Sequence, residues 1–387
     1  MSEVEKVLIV GGGIAGQTCA AALTRRGILC HVVELKDNFE IVGAGMYTQG
    51  NALRALLEIG VVEEIVKQGW HRDDDTTQVA DSGGNVLARA RYPRIAGPSV
   101  PAMVPISRRV LHKILHRAAQ QAGVATRMGT TITSLMDIPS RGRVDVAFTD
   151  GTEDSYDLVV GADGIHSRVR DLSFGPQQPR YTGFVNWRVV LPKPAEVDIV
   201  TWMNGNGTTL GVIPISETEL YLAGVIRQAD NRWYEKHEIL PIIRSTFAEY
   251  GGVGGQLVAQ LDSRHDIVYT PIVEIELAPP WYRNRVVIVG DAAHASTPFW
   301  AQGASMAIED VVLLAQLVEA GGPLSAILSQ WMERRLSRCS WVQQGSRQTG
   351  EMLHEEGPGM REKMNSYVAA HFQQDVNDRY SRFAEAI

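Results

Sequence analysis

Lys6-Val7-Leu8-Ile9-Val10-Gly11-Gly12-Gly13-Ile14-Ala15-Gly16 is the stretch on which the fold turns. An apolar strand (6–10) runs into a Gly-x-Gly-x-x-Gly turn, and a helix expected over residues 17–26 is stopped by Gly27. Residues 30–34 read as a second strand, ending on Glu34. The result is a βαβ opening and a parallel sheet. In such a turn Gly11 permits the reversal, Gly13 lets phosphate approach, and Gly16 lets the helix pack on the strand; Ile14 and Ala15 offer amides at the helix N-terminus. Glu34 is placed for ribose hydroxyls, with Leu35 and Lys36 beside it on the cofactor side. The motif calls for a dinucleotide and does not separate NAD from FAD.

Two later pieces suit the same ligand. Residues 157–161 form an apolar strand followed by Asp163-Gly164, with Ser167, Arg168 and Arg170 close behind. Residues 285–289 form a very apolar, central strand followed by Gly290-Asp291, which delivers a carboxylate to the sheet's carboxyl edge. Pro298 and Gln302-Gly303 come next, then a helix from about residue 304 that includes Ala304 and Ser305. Its free amides and dipole suit a reduced flavin's negative charge. Three pieces in this order point to FAD in a redox site.

The remaining properties narrow the class. At 387 residues the chain exceeds one ordinary core. A net charge of −7 argues against a general nucleic-acid or anionic-membrane binder. No apolar run is long enough to span a bilayer. The acidic start is no signal peptide. Three cysteines without CxxC fit a reducing cytoplasm and give no disulfide or metal framework.

Along the chain, residues 51–68 and 110–121 read as helices, and 129–136 and 143–149 as short strands. Between 180 and 226 the texture becomes that of an antiparallel sheet, with strands at 184–191, 197–203, 209–214 and 219–225. A helix is expected at 238–250, and Gly251–Gly255 reads as a loop. The fold class is α/β: a Rossmann-like FAD-binding domain (1–72, 101–178 and 265–330) with an inserted antiparallel-sheet substrate domain (73–100 and 179–264). A C-terminal helical region (331–387) follows. Its Arg334, Arg335, Arg338, Glu355 and Glu356 read as a solvated face, with a cover over the flavin domain or a dimer contact as the other options.

With these motifs the chain resembles the single-component FAD-dependent aromatic hydroxylases of the para-hydroxybenzoate hydroxylase fold, over roughly residues 4–345. Residues 301–310 (Ala-Gln-Gly-Ala-Ser-Met-Ala-Ile-Glu-Asp) are similar to the 6-hydroxynicotinate type. Residues 181–187 (Tyr-Thr-Gly-Phe-Val-Asn-Trp) are similar to the urate type, and salicylate hydroxylases are near as well. The resemblance implies that Glu34 binds the adenosine ribose, Asp291 the flavin side of FAD, and Asp163 the pyrophosphate and NAD(P)H. It implies that Arg108 contacts FAD, that Gly43-Ala44-Gly45 is the loop beside the flavin, and that Pro298 faces the oxygen-reactive side. Ala301 replaces the commoner glycine and Val110 the commoner aspartate.

The implied reaction is NAD(P)H reduction of FAD, then oxygen transfer through a flavin C4a-hydroperoxide to a small electron-rich aromatic or N-heteroaromatic ring. Tyr47 would touch the substrate hydroxyl or deprotonate it through a relay, and Arg188 or Arg227 would hold a substrate carboxylate. Trp187, Trp202, Met203, Phe299 and Trp300 would wall the pocket or simply pack the core. His294 reads as structural rather than as a base, and no histidine spacing suits a metal. The partners expected are the substrate, O2 and a transient NADH or NADPH, in a monomer or homodimer, without nucleic acid or membrane. The alternatives are an oxygenase or epoxidase for a larger polycyclic substrate, an FAD-dependent dehydrogenase, a flavin-free NAD dehydrogenase, and a binding protein without activity.

Overall fold

The structure is a computed structural model, and it describes residues 3–39 and 45–387. Gly43 and Ala44 of the expected flavin-side loop lie outside the described residues.

The glycine turn sits in a six-stranded sheet. Its order is Tyr282–Arg283, Val286–Ile288, Leu158–Gly161, Lys6–Val10, Leu29–Val33, Ala125–Arg127, parallel except for the first, antiparallel edge. The strand at 286–288 was expected to be central. It is instead second from the edge, and it is apolar because both of its faces are covered: all three residues are buried. The true centre is Leu158–Gly161 against Lys6–Val10. Helices Ile14–Thr24, Gly303–Ala320 and Leu324–Leu353 pack on one side, burying Leu23, Val311, Leu314 and Trp331 in one core. A three-stranded sheet (Glu153–Tyr156, Arg143–Phe148, Ile132–Ile138) covers part of the other.

The second large unit is a seven-stranded sheet, in the order Val268–Glu274, Arg180–Pro192, Glu219–Arg227, Thr208–Pro214, Thr201–Asn204, Thr76–Asp81, Val86–Arg91. It is antiparallel except where Thr201–Asn204 runs parallel to Thr76–Asp81. Strand Val268–Glu274 pairs with Arg180–Pro192, so it belongs to this sheet and not, as expected from residue 265 onward, to the nucleotide part. A two-stranded antiparallel ribbon not expected from the sequence pairs Gly45–Gln49 with Met103–Ser107.

Gly251–Gly255 is not the expected loop. A helix starts there and spans Gly252–Gln260. The glycines serve close approach: a Cβ on Gly251 would come within 2.8 Å of the Gly83 carbonyl oxygen, and the Gly251 amide donates to Ser82 O at 2.7 Å. The C-terminal region forms two helices, Leu324–Leu353 and Met360–Ala384. Val376, Tyr380 and Phe383 of the last helix join the main core. Arg335 and Arg338, expected on a solvated face, are 0% and 6% exposed because two acidic neighbours meet them inside. No helix among the described residues is long and apolar enough to cross a membrane.

Candidate active site

One cavity of about 780 Å³ runs from the glycine turn, past the seven-stranded sheet, to the C-terminal helix. At its nucleotide end the three glycines do separate jobs. Gly11 has φ of +104°, and a Cβ there would run into the Ala162 carbonyl; Gly16 is pressed on the Gly11 carbonyl; Gly13 faces open space. Gly13, Ile14 and Ala15 line the cavity, whereas Gly11 and Gly16 shape the turn from behind. His112 holds the turn's other side, its Nε2–H donating to Gly12 O at 2.7 Å. Burial pulls that imidazole's pKa down, and the bond to Gly12 opposes the fall.

Of the three expected carboxylates, only Asp291 lines the cavity. Its carboxylate is exposed there and makes no hydrogen bond or ion pair with the described residues. Gly290 makes the turn, with φ of +60° and its amide donating to Asp310. Glu34 lies behind the turn, accepting from the Gly12 amide (2.8 Å) and the Lys36 amide (3.0 Å); Leu35 is exposed beside it. Asp163 uses both oxygens in its own turn, one accepting from Ser167 Oγ and the other from the Val169 amide at 3.0 Å. Burial raises its pKa and these bonds oppose the rise. Its neighbour Gly164 is the one that reaches the cavity.

Helix Gly303–Ala320 opens into the cavity with Gly303 and Ala304, while Ser305 sits behind with a buried, unpartnered hydroxyl. Pro298, Phe299 and Trp300 form a 3-10 turn on the same wall. Ala301 closes that turn in the left-handed region (φ +50°), where glycine would be at ease. Gln302 does not face the cavity. It pairs with Gln49 and Asn51, and Gln49 in turn holds the carbonyls of Trp300 and Ala301 and accepts from Tyr380 Oη at 2.9 Å.

The middle of the cavity is chemically distinct. Arg188 lines it from strand Arg180–Pro192. Its Nη2 donates to Thr270 Oγ1 at 2.7 Å, its Nε is buried without a partner, and no carboxylate among the described residues pairs with it. Burial lowers its pKa, Tyr221 opposes that, and Arg108 adds to it, so two unpaired guanidiniums share this part of the cavity. Tyr47 and Gly45 come in on the ribbon strand. The Tyr47 hydroxyl is buried; Trp202 is near it, yet no hydrogen bond of good geometry closes. Burial first, then the neighbouring Tyr221, raise its pKa well above the usual phenol value, so at neutral pH the hydroxyl is protonated and offers a hydrogen-bond donor.

Several expected residues lie elsewhere. Arg227 is tied to the C-terminal helices, donating from Nε to His354 O (3.2 Å) and from Nη2 to Glu351 (2.9 Å). Trp187 packs in the sheet core against Phe247, and Met203 against Gly254. Trp202, Phe299 and Trp300 do line the cavity. His294 is 3% exposed, with Nε2 at 2.7 Å from Asp310. Burial opposes its charge, but Cys339 and Asp310 outweigh that, and its pKa is raised well above the usual value.

Sequence reasoning missed two features. One is the buried ionic cluster behind Asp291: Arg335 with Glu309 (2.8 Å) and Asp310 (2.7 Å), and Arg338 with Glu309 (2.8 Å). Its only sequence trace is an acidic pair followed by arginines one helical turn apart. The other is the far wall, where Val368, Phe372, Asp375 and Arg379 of the last helix line the cavity. No periodic pattern announces that.

The residues present fit FAD. The open space over Gly13, the amides at two helix starts, and the unpartnered Asp291 and Arg108 form a cradle with donors for phosphate and an acceptor for hydroxyls.

Comparisons with known proteins agree. The chain is 31% identical to 2-heptyl-3-hydroxy-4(1H)-quinolone synthase of Pseudomonas aeruginosa, over 91% of this chain and 90% of that one. It is 29% identical to 6-hydroxynicotinate 3-monooxygenase of Pseudomonas fluorescens, over 92% and 94%. In fold it is similar to Klebsiella pneumoniae HpxO, solved with FAD and uric acid (TM-score 0.87, 23% identity, 98% and 96% covered). Residues 5–338 match the family model described as "FAD binding domain". The chain therefore belongs to the FAD binding domain family, among whose members are FAD-dependent monooxygenases.

Proposed function

We propose that the chain is an FAD-dependent monooxygenase that consumes NAD(P)H and hydroxylates an aromatic or N-heteroaromatic substrate. The observation that carries this reading is the continuity of the cavity: the nucleotide turn and Asp291 open into the same space as Arg188, an arginine with no carboxylate partner. The quinolone and hydroxynicotinate named for two relatives support a ring of this kind.

When bound, FAD supplies electron storage and oxygen activation. The amides of Gly13, Ile14 and Ala15 would bind its pyrophosphate, Glu34 its adenosine ribose, and Asp291 its ribityl hydroxyls. The amides of Gly303 and Ala304 would stabilise negative charge on the ring. Pro298 and Gly45, which line the cavity, would border the bound cofactor. Arg188 would hold an anionic substrate oxygen, and Tyr47 would donate to a substrate hydroxyl or ring oxygen rather than remove its proton. Phe299, Trp300 and Trp202 exclude water from the reacting ring.

We read residues 1–72, 101–178 and 275–330 as the cofactor part, and 73–100 and 179–274 as the substrate part. Three free, buried cysteines support a reducing, cytoplasmic setting.

The test is to purify the protein with FAD, screen hydroxybenzoates, hydroxypyridines and quinolones for substrate-triggered NAD(P)H oxidation, and follow label from isotopic O2 into the product. FAD uptake with label in the product is the expected result. Oxidation of substrate without label would assign a dehydrogenase, and failure to take up FAD would sink the reading.

A further inference from the structure

Resting on that reading, we propose that the substrate carries an apolar substituent of several carbons. It extends from the polar centre at Arg188 along the wall built by the two C-terminal helices.

The cavity does not end where a single ring bound at Arg188 would end. It continues to the end of helix Leu324–Leu353 and across helix Met360–Ala384, where Met352, Leu353, Val368 and Phe372 face it. Met352 and Tyr367 line it while 37% and 38% exposed, so this end of the cavity opens to solvent. Apolar surface held open in this way is stabilised by apolar ligand atoms that cover it.

The aromatic wall opposite presents ring faces, with Gln348 and Thr349 lining the cavity beside them. Phe299 lies on Gly350 and Trp300 on Gly345, so closely that a Cβ at either glycine would run into the ring. The indole nitrogen of Trp300 is already satisfied, donating to Thr349 Oγ1 at 2.8 Å. Nothing polar is left on that ring to recognise a polar substituent.

Charged groups flank this stretch. The Arg188 guanidinium, with its unpartnered Nε, fixes the anionic or hydrogen-bonding head. Asp375 and Asp378 stand at the far rim, with Arg379 packed over the Trp300 ring 5.3 Å from its centre. The class selected is a hydroxylated aromatic or N-heteroaromatic head with an uncharged alkyl or aryl extension.

Calorimetric titration of the FAD-loaded enzyme tests this independently of turnover. The probes are two series with hydrogen, methyl, n-butyl or n-hexyl substituents: salicylates alkylated at C5 and 4-hydroxyquinolines alkylated at C2. In at least one series each added methylene is expected to tighten binding about three- to four-fold. Val368→Trp, which fills the wall space, should abolish those increments and leave the unsubstituted head within two-fold. If that variant does not fold, Phe372→Ser serves the same purpose by making the wall polar. Equal affinity along both series, no binding of any member, or increments that survive in a folded wall variant would overturn the proposal. Loss of FAD binding or of label incorporation would instead strike the monooxygenase reading.

Discussion

Arg335 and Arg188 are both held away from water, in opposite company. Arg335 is 0% exposed and meets Asp310 at 2.7 Å and Glu309 at 2.8 Å, with Arg338 completing the cluster. Arg188 has one hydroxyl partner and a buried Nε that bonds to nothing. The first arginine is neutralised by the fold itself. The second leaves its desolvation unrecovered until an anion arrives. A fully satisfied buried charge marks structure, and an unsatisfied one in a cavity marks a binding position.

That contrast breaks most visibly at Arg335. Arg335→Met should destabilise the protein by about 3–5 kcal/mol, because Glu309 and Asp310 remain buried without their partner; urea unfolding measures it. The same change at Arg188 should leave stability within about 1 kcal/mol while weakening an anionic substrate by about 2–3 kcal/mol, which titration of the two properties separates. Equal stability losses would erase the distinction.

A neutral buried base gives the next largest effect. His354 is fully buried between Phe184 and Phe299, and burial lowers its pKa to about 4. Above pH 6.5 it is uncharged whether folded or not, and it contributes no pH dependence. Below that, the unfolded chain takes up a proton that the folded chain refuses. Stability should therefore fall between about pH 6.5 and 4, by as much as about 3 kcal/mol. His354→Gln should flatten that limb of the pH–stability profile.

Tyr47→Phe sharpens the comparison on the neutral side. The hydroxyl has no partner to lose, so unfolding should shift by less than about 0.5 kcal/mol. Substrate kcat/KM should drop about ten-fold, the worth of one hydrogen bond made only to ligand. The smallest effect is Ala301→Gly. It relieves a left-handed alanine and gives the unfolded chain more freedom, for a net gain of about 0.5 kcal/mol in thermal unfolding.

The nucleotide half was legible because its chemistry is local. Gly11, Gly13 and Gly16 each announce a backbone need, and the strands ending at Val10, Gly161 and Ile288 are short apolar runs closed by turns. Arg188 was singled out on an expected strand of the antiparallel sheet, Tyr47 after the Gly45 loop and Pro298 through the family resemblance, and all three line the cavity. The unreadable parts are long-range. Nothing near Arg335 in sequence shows that Glu309 and Asp310 wait 26 and 25 positions away. The glycine run at 251–255 has a loop's composition, yet a helix starts there with the Gly83–Gly84 turn close against it. The cavity wall at 367–379 mixes acids, aromatics and valine, so no face stands out until the sheet beside it is in place.

The end of the last helix carries a mechanical consequence. Helices normally fray where their final carbonyls lack partners. Here Arg54 donates to the carbonyls of Phe383, Ala384 and Glu385, and Arg338 to those of Arg382 and Phe383, placing positive charge at the negative pole. The clamp puts the fixed point at the terminus. Any swing of this segment must pivot there and draw its slack from the glycine-containing bend at His354–Gly359, so amide exchange should slow toward the tip instead of quickening.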